Sequence, residues 1–336
     1  MPTLTPEERY NRIINEAWWR YQASDLKQLK SIRALLLEAY ADLSGELFNY
    51  GNNALTLAQV STFRARISQT METFGREYEA ALGAETRRVA QLAASTQQEA
   101  FVQFLGGQPI RASINVFDVP QQVYDAAHKR VMSDGLNLSQ RIWQMQSGAA
   151  NLLERDIMAA QLRGASAADM ARRIGRYLLP GKELPKGNVP SASFSNQPRD
   201  VSYNAFRLAR TEINQTWHDV HNATDKKLAA EGIVLGSRWK LSATHRARML
   251  AATDGKSGRD ICDDWAERLP GSPILKGQPD AGNAAELAML AKLEQYGIDA
   301  HGVYLPGRTP VDHPNGLCIV QSVLVPREEI LRRYGF

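Results

Sequence analysis

Residues 201–241 read VSYNAFRLARTEINQTWHDVHNATDKKLAAEGIVLGSRWKL, and the change of period inside this stretch decides the fold. Ala205, Leu208, Ala209, Ile213, Thr216, Trp217 and Val220 recur at three- and four-residue spacing, which predicts one strong helix from Val201 to about Glu231. Gly232 then stands where a helix ends in a left-handed cap. Directly afterwards, residues 233–241 alternate as a strand does. A chain that turns from period 3.6 to period 2 at one glycine passes there from a helical region into a mixed one.

Upstream, the helical period dominates. Thr5-Pro6-Glu7-Glu8 is a helix start: a hydroxyl cap, Pro in the first turn, and acids near the positive end of the helix dipole. Tyr10, Ile14, Trp18 and Tyr21 continue it, and Ser24-Asp25 reads as the opening of a second helix that Tyr50-Gly51 breaks. A further helix is expected from Thr56 to about Leu105, with Leu57, Val60, Phe63, Ile67, Met71, Phe74 and Tyr78 on one stripe. Its later part, Leu82 to Phe104, is rich in Ala, Gln and Thr and reads either as an exposed assembly arm or as an internally packed helix. Ile114–Pro120 reads as a short extended piece. Helices follow near Gln121–Met132 and Ser139–Arg163, and Ser166-Ala167-Ala168-Asp169 caps one that ends near Leu179.

Residues 181–200 are rich in Pro, Gly, Ser and Asn and read as a linker or long loop. Downstream of the glycine, Val303-Tyr304-Leu305 and Leu317–Val325 are extended, with an Ala/Leu helix near Asn283–Tyr296. The expected fold is mainly α: a long helical N-terminal region (1–180), a linker (181–200), and a small α+β C-terminal module with short strands (201–336).

Composition narrows the function. The 336 residues suit about two domains. A hydrophobic share of 43% excludes a disordered chain, and two cysteines exclude a disulfide scaffold. Forty basic against 36 acidic residues give +4, which permits nucleic-acid contact without requiring it. No apolar run reaches the roughly 18 residues of a membrane span, and Met1–Trp19 lacks the apolar stretch of a secretion signal.

Three groups of residues are candidates for chemistry. His245, Cys262, His313 and Cys318 offer two imidazoles and two thiolates, the ligand set of a closed structural zinc site, in a module with little core of its own. Their spacing matches no short zinc finger, and the alternative is two buried thiols with two surface histidines. Asp260, Asp263 and Asp264 flank Cys262 and Asp312 precedes His313, which suggests instead a metal-dependent nuclease or hydrolase built on His245, Asp260, Asp263 and His313, with turn and cap residues as the plainer reading. Arg238, Lys240, Arg246 and Arg248 form a basic stretch around Trp239 that suits DNA phosphate, although a Trp so placed is more often core. Arg210 and Glu212, two apart on their helix, do not face each other and read as a charged face, with a buried pairing as the alternative. No metalloprotease, Walker or nucleophile-elbow motif is present, so no catalytic residue is assigned.

Taken in order, Arg210-Thr211-Glu212, Arg238-Trp239-Lys240-Leu241-Ser242-Ala243-Thr244-His245, Asp260-Ile261-Cys262-Asp263, Gly302-Val303-Tyr304-Leu305-Pro306 and Pro310-Val311-Asp312-His313-Pro314-Asn315-Gly316-Leu317-Cys318 resemble the phage Mu F-type minor head protein (phage head morphogenesis) family. The resemblance covers about residues 135–325 and includes Gly135–Trp143. Gly316 stands where that family has the first Cys of its closing pair. The resemblance implies a low-copy virion protein of the head interior or portal region. Made in the host cytoplasm, it would associate with portal, capsid or scaffold proteins during procapsid assembly. Contact with packaged double-stranded DNA and a part in its ejection are implied too, with no membrane partner before ejection. It also strengthens the zinc reading, with His245 and Cys262 from one side and His313 and Cys318 from the other. A DNA-binding accessory protein without a capsid role is a further alternative.

Overall fold

The computed structural model describes residues 4–107, 118–131, 135–179, 201–240, 284–306 and 319–334. The protein is mainly α with a small C-terminal α+β module. Among the described residues the helices are α1 (Pro6–Asn49), α2 (Leu57–Phe104), α3 (Pro120–Lys129), α4 (Leu138–Leu162), α5 (Ala167–Leu178), α6 (Val201–Ala230), α7 (Ala284–Gln295) and α8 (Arg327–Tyr334). Strands β1 (Val234–Lys240), β2 (Val303–Tyr304) and β3 (Ile319–Leu324) form one antiparallel sheet in the order β2-β1-β3. No described helix is long and apolar enough to cross a membrane.

The helix starts follow their capping residues. Thr5 and Glu8 exchange side-chain to backbone bonds at 3.1 and 2.8 Å, and Thr56 and Gln59 do the same at 3.3 and 2.8 Å. Asn137 and Gln140 form a third reciprocal box. Ser166 accepts from the Asp169 amide at 3.1 Å. Each box satisfies amides that the first turn leaves without a helical acceptor. Ser24-Asp25, in contrast, starts nothing: α1 runs unbroken from Pro6 to Asn49. A cap sequence competes only weakly with a helix already propagating on both sides of it. The expected extended piece at 114–120 lies mostly outside the described residues; within it, Val119 precedes α3 and Pro120 begins it.

The chain divides into two units. The first comprises residues 1–23, 87–124 and 213–336, and the second 24–86 and 125–212. In the second unit Leu36, Leu43 and Leu47 of α1, Phe63, Ile67 and Phe74 of α2, Leu153 and Ile157 of α4, and Met170 and Ile174 of α5 are buried. Helices α2 and α4 come close at Gly75, where a Cβ would fall 1.6 Å from Gln146 Oε1. The Tyr78 hydroxyl donates to the Ala205 carbonyl at 2.6 Å, tying α2 to α6.

In the first unit the Ala-rich part of α2 is core. Val89, Ala90, Ala93, Ala94, Ala100, Phe101 and Phe104 are all buried, which decides against an exposed arm. Small side chains there let neighbouring backbone come close. Tyr10 packs edge-on against Phe101 and Phe104, and Trp18 lies 4.9 Å from Trp217 between ring centroids. Gly232 closes α6 at φ 70°, with the Ile233 amide donating to Leu228 O at 2.9 Å. Helix α8, which the apolar pattern of the sequence does not mark, holds this turn. Arg333 donates to the Gly232 carbonyl and Tyr334 to the Glu231 carbonyl.

Candidate functional site

A buried polar site in the first unit is built on one face of α6 and the sheet that covers it. The period that buries Ile213, Trp217 and Val220 continues through His221, Thr224, Asp225 and Leu228, and all of these are buried. Three polar residues therefore occupy positions of an apolar stripe. Opposite them, β1 and β3 pair so that Ser237 faces Ser322 directly. Both serines are buried although their strand neighbours Leu235, Trp239, Val320 and Leu324 on the same face are apolar.

The two serine hydroxyls clamp one carboxyl group. Ser237 Oγ lies 2.6 Å from Asp225 Oδ2, and Ser322 Oγ lies 2.6 Å from Asp225 Oδ1. Ser322 Oγ is also 3.1 Å from His221 Nε2 and 3.4 Å from the Tyr10 hydroxyl. His221 Nε2 stands 3.6 Å from Asp225 Oδ2. Asn11 of α1 donates from Nδ2 to the Ser322 carbonyl at 3.2 Å. The cluster thus ties α1, α6, β1 and β3 together at a single point.

Burial governs the electrostatics. It raises the Asp225 carboxyl to about 7, against the lowering effect of the two serine hydroxyls. It lowers the His221 imidazole to about 3. Tyr10 is pushed well up by burial and by the nearby Asp225. Glu7, one turn before Asn11, is raised by burial while the Leu324 amide and Arg238 oppose the shift. At neutral pH His221 is uncharged, and Asp225 sits near its midpoint.

His221, Ser322 and Asp225 are the residue types of a nucleophilic triad, but their arrangement is different. Asp225 contacts Ser322 and the same imidazole nitrogen that faces Ser322, rather than orienting the opposite nitrogen. All three are buried to within about 1% of full exclusion, so no substrate reaches Ser322. What the arrangement does is hold a proton and close a polar seam.

The residues singled out from sequence fall in several places. Glu212 is not on a solvated face: it is buried in the second unit, 3.3 Å from Arg141 and 3.9 Å from Arg130. The partners come from α4 and from the segment after α3, which spacing along α6 alone does not reveal. Arg210 on the same helix is half-buried. Trp239 is core, 5.9 Å from the His218 ring. Arg238 is half-buried and donates from Nη2 to the Asp299 carbonyl. Lys240 is the last residue of β1, opposite Ile319. His245, Arg246, Arg248, Asp260, Cys262, Asp263, His313 and Cys318 lie outside the described residues. Among the described residues no group of three or more His, Cys, Asp or Glu is placed to hold a metal ion.

No sequence motif marks the His221–Asp225–Ser322 cluster. Its signal was present as polar residues in phase with an apolar stripe, at i and i+4 on α6 and at an inward position of β3. Compared with family models, with curated proteins and with solved structures, the chain matches none.

Proposed function

We propose that this chain is a phage minor head protein of the head morphogenesis class, acting at the portal during procapsid assembly. The observation that carries this reading is the ordered motif set from Arg210 to Cys318. Two of its segments meet in the sheet: Arg238-Trp239-Lys240 forms the end of central β1, and Val303-Tyr304 forms β2 beside it. A third, ending at Cys318, runs directly into β3. Two motif segments separated by some sixty residues of sequence thus lie side by side in one sheet.

Helical faces supply the docking side of the reading. In the second unit Phe48, Leu57 and Leu162 are more than half exposed. Phe48 and Leu57 stand at the end of α1 and the start of α2, and Leu162 at the end of α4. The Ala54–Ser166 bridge joins the loops that follow α1 and α4. Apolar side chains at helix ends are what a helix-rich assembly protein offers a larger partner.

The zinc component rests on His245, Cys262, His313 and Cys318. Lys240 at the end of β1 pairs with Ile319 at the start of β3, and Cys318 immediately precedes Ile319 in the sequence. Metal content of the reduced, purified chain tests it: about one zinc per chain, lost in Cys262→Ser and Cys318→Ser, supports the site, and no metal sinks it.

The function itself is tested by quantitative mass spectrometry of virions purified from cells that produce this protein. The expected result is a few copies per particle, in fixed ratio to the portal. Absence from full particles and procapsids alike would overturn the reading.

A further inference from the structure

Asp225 is a carboxyl group with no described cation to balance it. The influences on it are burial and two hydroxyl groups. The groups that face it are His221 on its own helix, Ser237 on β1, Ser322 on β3 and Tyr10 on α1, with Glu7 and Asn11 a little further along α1. A bare carboxylate in such surroundings is costly, and so is an imidazolium. Ser322 lies within hydrogen-bond distance of both groups and can transmit a proton's position between them.

We propose that Asp225 and His221 share a single proton, resting on the carboxyl and linked to the imidazole through the Ser322 hydroxyl, so that closing the sheet on α6 takes up and releases no proton in mildly acidic to neutral solution. The hydrogen count closes. With the proton on Asp225, its O–H donates to Ser322 Oγ, the Ser322 O–H donates to His221 Nε2, and the imidazole carries its own hydrogen on Nδ1. Ser237 donates to Oδ2, and Tyr10 donates to the remaining lone pair of Ser322. Passing one proton along each of the two bonds to Ser322 reverses both. That gives carboxylate and imidazolium with no net loss.

The consequence is a balance of two opposite linkages. A carboxyl raised from 3.8 to about 7 stabilises the fold fully below pH 3.8, and that stability is lost as pH rises toward 7. An imidazole lowered from 6.5 to about 3 stabilises it fully above pH 6.5, and that stability is lost as pH falls toward 3. Between about pH 4 and 6.5 the unfolded chain carries one proton on His221 and the folded chain one on Asp225. The proton numbers match, and the pair contributes no slope.

Single substitutions should unmask the two halves with opposite sign. The measurement is the unfolding equilibrium constant of the full chain in urea from pH 4 to 8, as the ratio of variant to parent. Asp225→Asn leaves the imidazole alone, and its ratio should rise as pH falls below 6.5, by up to about tenfold per unit. His221→Gln leaves the carboxyl alone, and its ratio should rise as pH increases from 4 to 7, by up to about tenfold per unit. Ratios independent of pH for both variants, or slopes of the same sign, would overturn the proposal. If either variant fails to fold, nitrogen-15 shifts of the parent decide: a neutral His221 at pH 5.5 supports the shared proton, and an imidazolium at that pH overturns it.

Discussion

Glu212 and Asp225 are two buried carboxyl groups on the same helix, and each unit of the protein accommodates its own by a different route. In the second unit Glu212 meets two arginines, Arg141 at 3.3 Å and Arg130 at 3.9 Å. In the first unit Asp225 meets two serines, a histidine and, through Ser322, a tyrosine. The first solution neutralises charge with charge and depends on all partners being present. The second reduces the charge itself and depends on where a proton rests. Removing a partner therefore has different consequences at the two sites.

The largest effect is expected at Glu212. Glu212→Leu takes the carboxylate away from buried Arg141 and half-buried Arg130 and should cost about 3–5 kcal/mol in urea unfolding. A loss below about 1 kcal/mol would mean that the arginines are solvated, and the contrast with Asp225 would disappear. Asp225→Ala leaves the Ser237 hydroxyl without its acceptor and Ser322 without the Asp225 donor, but no stranded ion, so about 2–3 kcal/mol is expected. A larger loss than at Glu212 would reverse the ranking.

Packing sharpens the comparison at two glycines. At Gly236 on β1 a Cβ would lie 2.6 Å from Val303 Cγ1 and 2.8 Å from the Tyr304 carbonyl, and backbone cannot step aside. Gly236→Ala should cost about 1–3 kcal/mol by thermal or urea unfolding. At Gly75 the obstacle is the end of the Gln146 side chain, which can rotate away. Gly75→Ala should then lie within about 1 kcal/mol of the parent, and a helix interior favours alanine. Equal losses at the two sites would show that the first unit's sheet is no tighter than the second unit's helix pair.

The smallest effects belong to the surface. Ser166→Ala removes the cap of α5 and should cost about 1 kcal/mol. Breaking the Arg64–Glu154 pair, in which Arg64 is nearly half exposed, should cost less than about 1 kcal/mol and less still in high salt.

Most of the helices were legible because caps and periods are local. Thr5, Thr56 and Ser166 sit where α1, α2 and α5 begin, and Gly232 sits where α6 ends, whereas α4 starts at Leu138 behind an Asn137 cap, one residue before the expected Ser139. Ser24-Asp25 misled because a favourable cap does not interrupt a helix supported on both sides. Helix α8 escaped notice because Arg327–Tyr334 carries only one buried residue, Ile330, too little for a periodic signal. The partners of Glu212 were hidden for a different reason: Arg130 and Arg141 are far from it in sequence, and only folding brings them together. The Asp225 site was half visible. His221 and Asp225 at i and i+4 in phase with Trp217 and Leu228 mark a polar pair on a buried face. That Ser237 and Ser322 would close on it depends on strand register, which residue types alone do not set.

The contrast between the two carboxyl groups rests on Asp225 being uncharged, and the carbon-13 shift of its carboxyl as a function of pH reports that directly. The account predicts a protonated shift that holds from pH 4 to 6 and a single transition near 7. A transition near pH 4 would place a carboxylate in the closed seam and contradict it.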